Sequence, residues 1–217
     1  MNTLEIESIN LAFGDRVILS DIYLKCTTGS VVGLLGRNGT GKSSLFKIAF
    51  GAIKAQNKSI RFNSKSISEY SDIQNIITYL PQKSFVPKSF KVNEVFSDFG
   101  ISRDEFITSF PRFRSKLRAS FRHLSNGESR LIEAYIIIKS ASSFSLLDEP
   151  FTYISPLEIK VIKEIITEQK KQKGFIITDH RYQDILDIQD DLYFLKEGII
   201  KPIMNSQELK KMGYPSD

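Results

Sequence analysis

Val31-Val32-Gly33-Leu34-Leu35-Gly36-Arg37-Asn38-Gly39-Thr40-Gly41-Lys42-Ser43-Ser44 is the stretch that decides the fold. Its first five residues make a short continuous apolar run, as expected of a strand buried on both faces. The run leads straight into a glycine-rich turn, Gly36 to Gly41, and then a helical stretch, Lys42 to Phe50, stopped by Gly51. Gly36 to Ser43 is a full match to the P-loop pattern, in the strand–turn–helix setting that the pattern needs. Glycines let backbone N–H groups curl around phosphate oxygens, and the following helix N-terminus adds favourable partial charge. Lys42 is then placed to bridge β- and γ-phosphates, and the Ser43 hydroxyl to ligate Mg²⁺. The candidate nucleotide-binding residues here are Gly36, Arg37, Asn38, Gly39, Thr40, Gly41, Lys42, Ser43 and Ser44.

Upstream, Leu4, Ile6, Ile9 and Leu11 mostly alternate with polar residues, as do Ile18, Ile22 and Leu24, so residues 3–35 read as strands. Downstream, residues 84–140 read as helical without a convincing strand. Two further buried strands follow, Phe144 to Leu147 and Phe175 to Thr178, and between them Leu157, Val161, Ile162, Ile165 and Ile166 keep helical spacing. Strand and helix alternating in this way predict a parallel sheet in an α/β fold. An antiparallel N-terminal portion and an inserted helical subdomain complete a mixed sheet. No internal repeat, low-complexity tract or long linker interrupts the chain, and the expectation is one domain over 1–217.

The strand Phe144 to Leu147 ends in Asp148-Glu149, at the carboxyl edge of a parallel sheet, where α/β folds place ligands. Following a P-loop, Asp148 suits the Mg²⁺ shell, and Glu149 is free to act as general base on the attacking water. Ser125-x-x-Glu128 is a capping box, so a helix begins there, with Leu131, Ala134, Tyr135 and Ile138 on its buried face.

With those residues in place, the chain resembles the ATP-binding-cassette (ABC) ATPases. Leu124-Ser125-Asn126-Gly127-Glu128 is similar to the family's signature motif, LSGGQ or LSGGE. Gln82, in Tyr79-Leu80-Pro81-Gln82, resembles its Q-loop, and His180, in Thr178-Asp179-His180, its switch histidine. Phe13, before Gly14, sits where the family lays an aromatic ring on adenine, although plain strand core is its other reading. Leu195 to Ile200, two strands around a Glu197-Gly198 turn, matches the family's usual ending. Leu147 to Phe151 and Ile177 to His180 are similar to the lipopolysaccharide-export and branched-chain amino-acid transport ATPases.

The resemblance implies an ATPase that takes ATP and Mg²⁺, with Glu149, His180 and Gln82 catalytic and Ser43, Gln82 and Asp148 at the metal. It implies that Ser125, Asn126, Gly127 and Glu128 contact nucleotide bound by a second copy or a paralogous subunit, so that ATP drives head-to-tail dimerisation. It also implies integral-membrane transporter partners and a cytoplasmic place at the inner face of the membrane. The alternative is a non-transport ABC ATPase similar to the iron–sulfur assembly subunit.

Two positions depart from the family pattern: Asn126 replaces the first signature glycine, and Ser155 closes the D-loop where Asp is usual. Asn tolerates unusual backbone angles but adds bulk near a phosphate. Ser155-Pro156-Leu157-Glu158 can still cap the next helix.

Composition narrows the rest. The apolar runs are short, far below the about 18 residues of a membrane helix, and the first ten residues carry Glu5 and Glu7, without a signal-peptide pattern. A single cysteine, Cys26, excludes an intrachain disulfide and a cysteine-rich zinc site. The net charge of +5 permits a nucleotide, an acidic partner or an anionic membrane and selects none; no nucleic-acid partner is expected. Arg112, Arg114, Lys116, Arg118 and Arg122 crowd one segment, either as a solvated face or as a surface meeting acidic groups on a partner.

Overall fold

The structure is a computed structural model and describes residues 1–213. β1 (Thr3–Phe13) and β2 (Arg16–Thr27) pair antiparallel, and β4 (Asn57–Phe62) and β5 (Lys65–Ser66) extend them into a sheet ordered β2-β1-β4-β5. The second sheet contains β3 (Val31–Leu35), β6 (Ile77–Leu80), β7 (Phe144–Asp148), β8 (Gly174–Thr178), β9 (Asp191–Lys196) and β10 (Ile199–Pro202), in the order β10-β9-β3-β8-β7-β6. Its pairings are parallel except the β9–β10 hairpin at one edge. The antiparallel portion is thus a sheet of its own rather than an extension of the parallel one.

Period-two alternation explains why the P-loop strand is apolar throughout. Val31 and Leu35 face one core cluster with Leu147, Phe175 and Ile177, while Val32 and Leu34 face another with Leu146 and Ile176. Helices cover the sheet, as parallel strands require: α1 (Lys42–Ala49), α5 (Asn126–Lys139) and α6 (Pro156–Gln169) are the long ones. The turns α2 (Tyr70–Ile76), α7 (Tyr182–Leu186) and α8 (Ser206–Lys211) are short.

Between Val92 and Lys139 the chain is helical, with α3 (Val92–Asp98), α4 (Arg103–Ser109), two 3₁₀ turns and α5. Phe106 is the hub of its core, with ring centroids 4.9 Å from both Phe96 and Tyr135 and 5.2 Å from Phe110 and Phe113. α5 does not have the single buried stripe expected of it: every residue from Glu128 to Ile138 is buried, because α5 lies between this aromatic core and the sheet. α6 keeps its stripe through Ile159, Ile162, Ile165 and Ile166, but Leu157 stands 75% exposed.

Candidate nucleotide site

The loops that follow β3, β6, β7 and β8 open at the same carboxyl edge of the parallel sheet, which is why residues remote in sequence meet there. They line a cavity of about 460 Å³ together with the β1–β2 hairpin. Asn38, Gly39, Gly41, Lys42, Ser43 and Ser44 come from the P-loop, and Gln82, Asp148, Glu149 and His180 from the other loops. Phe13 reaches the cavity from the end of β1 and is 62% exposed, so strand core is not its place. Arg16 and Ile18, which sequence reasoning passed over, line the same wall. Arg37 and Thr40 do not; they line a separate hollow with Lys196 and Lys211, and Thr40 Oγ1 donates to the Arg37 carbonyl.

Gly41 is the N-cap of α1 at φ 107°, a conformation that side chains disfavour, and no side chain caps the helix. Its first N–H groups therefore face the cavity end without an acidic residue in the first turn, a setting that attracts anions. Lys42 Nζ bends back to the carbonyls of Gly36 (2.7 Å) and Arg37 (3.0 Å). Burial pulls its pKa down, against the opposing pull of Asp148 and Glu149.

Asp148 Oδ1 accepts from Ser43 Oγ at 3.1 Å, and its Oδ2 from the Tyr79 hydroxyl at 3.1 Å. Burial raises the Asp148 pKa, and these two hydrogen bonds oppose the rise. A hydroxyl, a carboxylate and the Gln82 amide form a hard oxygen set. No group of three or more His, Cys, Asp or Glu suited to a metal exists among the described residues. Such a sparse set fits Mg²⁺, which keeps several waters and binds through one or two protein carboxylates plus substrate phosphates.

Glu149 sits at φ 58°, an unusual backbone angle for a residue with a side chain. Its Oε1 receives Gln82 Nε2 and His180 Nε2, both at 2.8 Å, and Thr152 Oγ1 donates to Oε2 at 3.3 Å. Asp179, buried and with its pKa raised by that burial, accepts from the N–H groups of Phe151 (2.8 Å) and Arg181 (2.9 Å). It ties the loop of His180 to the loop of Glu149. Arg130 and Glu133 are both buried on α5; Arg130 donates to the Glu149 and Pro81 carbonyls, and Glu133 accepts from the Phe85 and Val86 N–H groups after Gln82. Tyr79, Arg130, Glu133 and Asp179 were not among the candidates from sequence.

Ser125 to Glu128 do not line this cavity. The capping box forms as expected: Ser125 Oγ accepts from the Glu128 N–H, and the Glu128 carboxylate accepts from the Ser125 N–H at 3.0 Å. That carboxylate also accepts from Arg112 at 3.3 Å and from Lys116. Burial would raise the Glu128 pKa, but the bonds from Lys116 and Ser125 hold it below its ordinary value. Arg112 also pairs with Glu158 at 2.6 Å. Two of the five basic residues of this segment are thus matched within the chain, while Arg114, Arg118 and Arg122 are exposed and form no ion pair among the described residues.

The family model described as "ABC transporter" matches residues 19–152. The chain belongs to the ABC transporter family. It carries the ATP-binding part, in a family of ATPases. The lipopolysaccharide export system ATP-binding protein LptB of Haemophilus influenzae is 29% identical over 98% of this chain and 97% of its own length. LptB of Escherichia coli K12 is 28% identical over 91% of this chain and 88% of its own. Among solved structures, an ATP-binding subunit of an ABC transporter superposes with a TM-score of 0.80 at 21% identity, covering 97% of this chain and 93% of that one. A bacterial Atm1-family ABC exporter with ATP bound gives 0.83 at 17% identity, covering 96% of this chain and 40% of that one, a likeness of fold.

The backbone makes no special demand at Asn126, where the chain departs from the signature pattern. Asn126 is the first residue of α5 and has no positive φ, so the left-handed freedom expected of it is not needed. Gly127 is the constrained position: a Cβ there would lie 2.3 Å from the Tyr153 carbonyl oxygen. Ser155 caps α6 by accepting from the Glu158 N–H, as its sequence predicts.

Proposed function

We propose that this chain is the ATP-hydrolysing subunit of a membrane transporter and works as a head-to-tail dimer with a second copy or a paralogous subunit. One observation carries the reading. The main cavity gathers the P-loop, Asp148, Glu149, Gln82 and His180, whereas Ser125, Gly127 and Glu128 line a separate hollow at the N-terminus of α5 and Asn126 a third one that reaches Gln82 and Glu149. A site split in this way within one chain is completed by the signature of another. Exposed Tyr153 and Leu157, each 75% accessible, stand beside the signature and suit a face that a second subunit covers.

In the proposed reaction Phe13 stacks on adenine, the P-loop amides and the α1 N-terminus cradle the phosphates, and Lys42 draws charge from the γ-phosphate. Ser43, Asp148 and Gln82 hold Mg²⁺, which when bound neutralises charge developing on the phosphate oxygens. Glu149 takes a proton from water as the water oxygen bonds to the γ-phosphorus, and the bond to the bridging oxygen breaks to leave ADP and phosphate. His180 and Gln82, both 2.8 Å from Glu149 Oε1, aim that carboxylate.

No described helix is long and apolar enough to cross a membrane. In the transport reading the spanning part lies in partner subunits, and this chain sits peripherally at the cytoplasmic face. The curated relatives named as lipopolysaccharide-export ATP-binding proteins support this reading over an iron–sulfur assembly role. The test is recovery of the tagged chain from detergent-solubilised membranes of its own cells. An integral-membrane protein is the expected co-purifying partner, and a soluble scaffold in its place would return the alternative.

A further inference from the structure

We propose that Arg130 and Glu133 are positioning residues for ATP hydrolysis: together they grip the Gln82 loop on both sides and hold Gln82 against Glu149. The inference rests on the roles proposed above for Gln82 and Glu149.

The two residues are three apart on α5 and share one helical face. Arg130 is 4% exposed, yet forms no ion pair at contact distance among the described residues. Its guanidinium donates instead to backbone carbonyls. Nη1 reaches Pro81 at 2.6 Å, Nε and Nη2 reach Glu149 at 3.1 and 2.9 Å, and Nη2 also reaches Asp148. The planar fork of arginine suits such a multiple grip, which lysine cannot copy. Glu133 is 1% exposed, and its Oε1 accepts from Ser84 Oγ at 2.6 Å and from the N–H groups of Phe85 and Val86 at 3.1 and 3.2 Å.

Pro81 and Ser84 bracket Gln82, so the loop is tied to α5 where it arrives and where it leaves. Arg130 simultaneously fixes the carbonyl of Glu149, whose Oε1 the Gln82 amide meets at 2.8 Å. Both partners of that hydrogen bond are therefore referenced to one stretch of α5. Buried charged groups whose hydrogen bonds go to the backbone of two functional loops and to one loop hydroxyl are costly as mere packing. Their placement accounts for how a four-residue loop segment keeps a defined geometry at the carboxyl edge of the sheet.

The test compares Glu133→Leu, which removes the acceptor, with Glu133→Gln, whose amide oxygen can still accept. The readouts are ATP turnover, nucleotide affinity and amide exchange at Phe85 and Val86. Glu133→Leu should lower kcat about 10–100-fold, leave nucleotide affinity within about threefold because the P-loop is untouched, and speed exchange at both amides. Glu133→Gln should recover most of the turnover. Unchanged exchange, or equal impairment in the two variants, overturns the proposal. Gln82→Ala, assayed in parallel, separates the two readings. Wild-type turnover there beside a defect in Glu133→Leu overturns the route through Gln82; a defect there beside wild-type turnover in Glu133→Leu overturns the clamp alone. Should Glu133→Leu not fold, Ser84→Ala removes the closest donor from an exposed position and must show the same faster exchange and partial loss of kcat, or the clamp is refuted.

Discussion

Ser43 Oγ lies 3.1 Å from Asp148 Oδ1 across a separation of 105 residues, joining the first turn of α1 to the end of β7. The contact unites the hydroxyl and the carboxylate that a phosphate-bound Mg²⁺ would share. Tyr79 holds the other oxygen of Asp148, so the carboxylate is presented in one orientation. Asp148→Asn keeps the shape and removes the charge. Turnover should fall about 10²-fold or more, the scale of a metal's charge stabilisation, and the magnesium concentration for half-maximal activity should rise. ATP binding in EDTA should stay as in the wild type. A magnesium titration superimposable on the wild type would refute the metal assignment.

Phe13 projects from the end of β1 with most of its ring in solvent, so it contributes little to the core. Phe13→Ala should weaken ATP binding by about 1–3 kcal/mol, the range for removing an aromatic stacked on a base. The melting temperature should barely change, as for exposed substitutions that touch no structural feature. Calorimetry on both proteins checks the first expectation, and a large loss of stability with equal affinity would return Phe13 to a packing role.

What could be read from sequence was whatever lay close along the chain. Val31 to Ser44 combine strand, turn and helix in one run, and Ser125 with Glu128 or Ser155 with Glu158 span only three residues. β4 offered no such pattern, since Ile60 is its one buried apolar side chain and its pairing with β1 is what makes it a strand. Tyr79, Arg130 and Glu133 were invisible for a different reason. Their partners are 69, 49 and 48 residues away, and a tyrosine, arginine or glutamate among helical or strand residues carries no local mark of such a duty. Gly127 was legible as part of a motif, but its steric reason, the Tyr153 carbonyl, required the folded chain.

Lys173 provides a test by pH. It is buried at the start of β8, and its ammonium donates to the carbonyls of Ile137 (3.1 Å) and Ser140 (2.8 Å) at the C-terminal end of α5. Burial with no carboxylate beside it pulls its pKa down from 10.5 to about 7. Between about pH 7 and 10.5 the unfolded chain therefore holds a proton that the folded chain has released. Stability from this group rises with pH across that window, by up to about 1.4 kcal/mol per unit, and the cost of burying the charge is fully present below it. The melting temperature of the wild type should climb relative to Lys173→Met between pH 7 and 9.5. Parallel profiles for the two proteins would show that Lys173 stays charged throughout.

Glu149→Gln tests the chemistry and the dimer together. An amide cannot take the proton from water, so turnover should fall roughly 10²–10⁴-fold. The amide is nearly isosteric and Lys42, Ser43 and Asp148 are intact, so Mg-ATP should still bind. Gln82 and His180 now face a neutral oxygen at the position where each lies 2.8 Å from the carboxylate, which weakens their hold without removing either group. Unhydrolysed ATP should then stay between the P-loop of one copy and Ser125 to Glu128 of the other. Within its own chain the Glu128 carboxylate is engaged by Ser125, Arg112 and Lys116, and the Glu128 N–H by Ser125 Oγ, which leaves the N–H groups of Asn126 and Gly127 for that contact. Sedimentation should therefore find a dimer in Mg-ATP and a monomer in Mg-ADP, since only ATP supplies the γ-phosphate. Phosphate release measured on the same samples separates the two claims. A monomer in both nucleotides with hydrolysis abolished would locate the fault in the sandwich, at Asn126 or Ser155, and hydrolysis at the wild-type rate would remove Glu149 from the role of base.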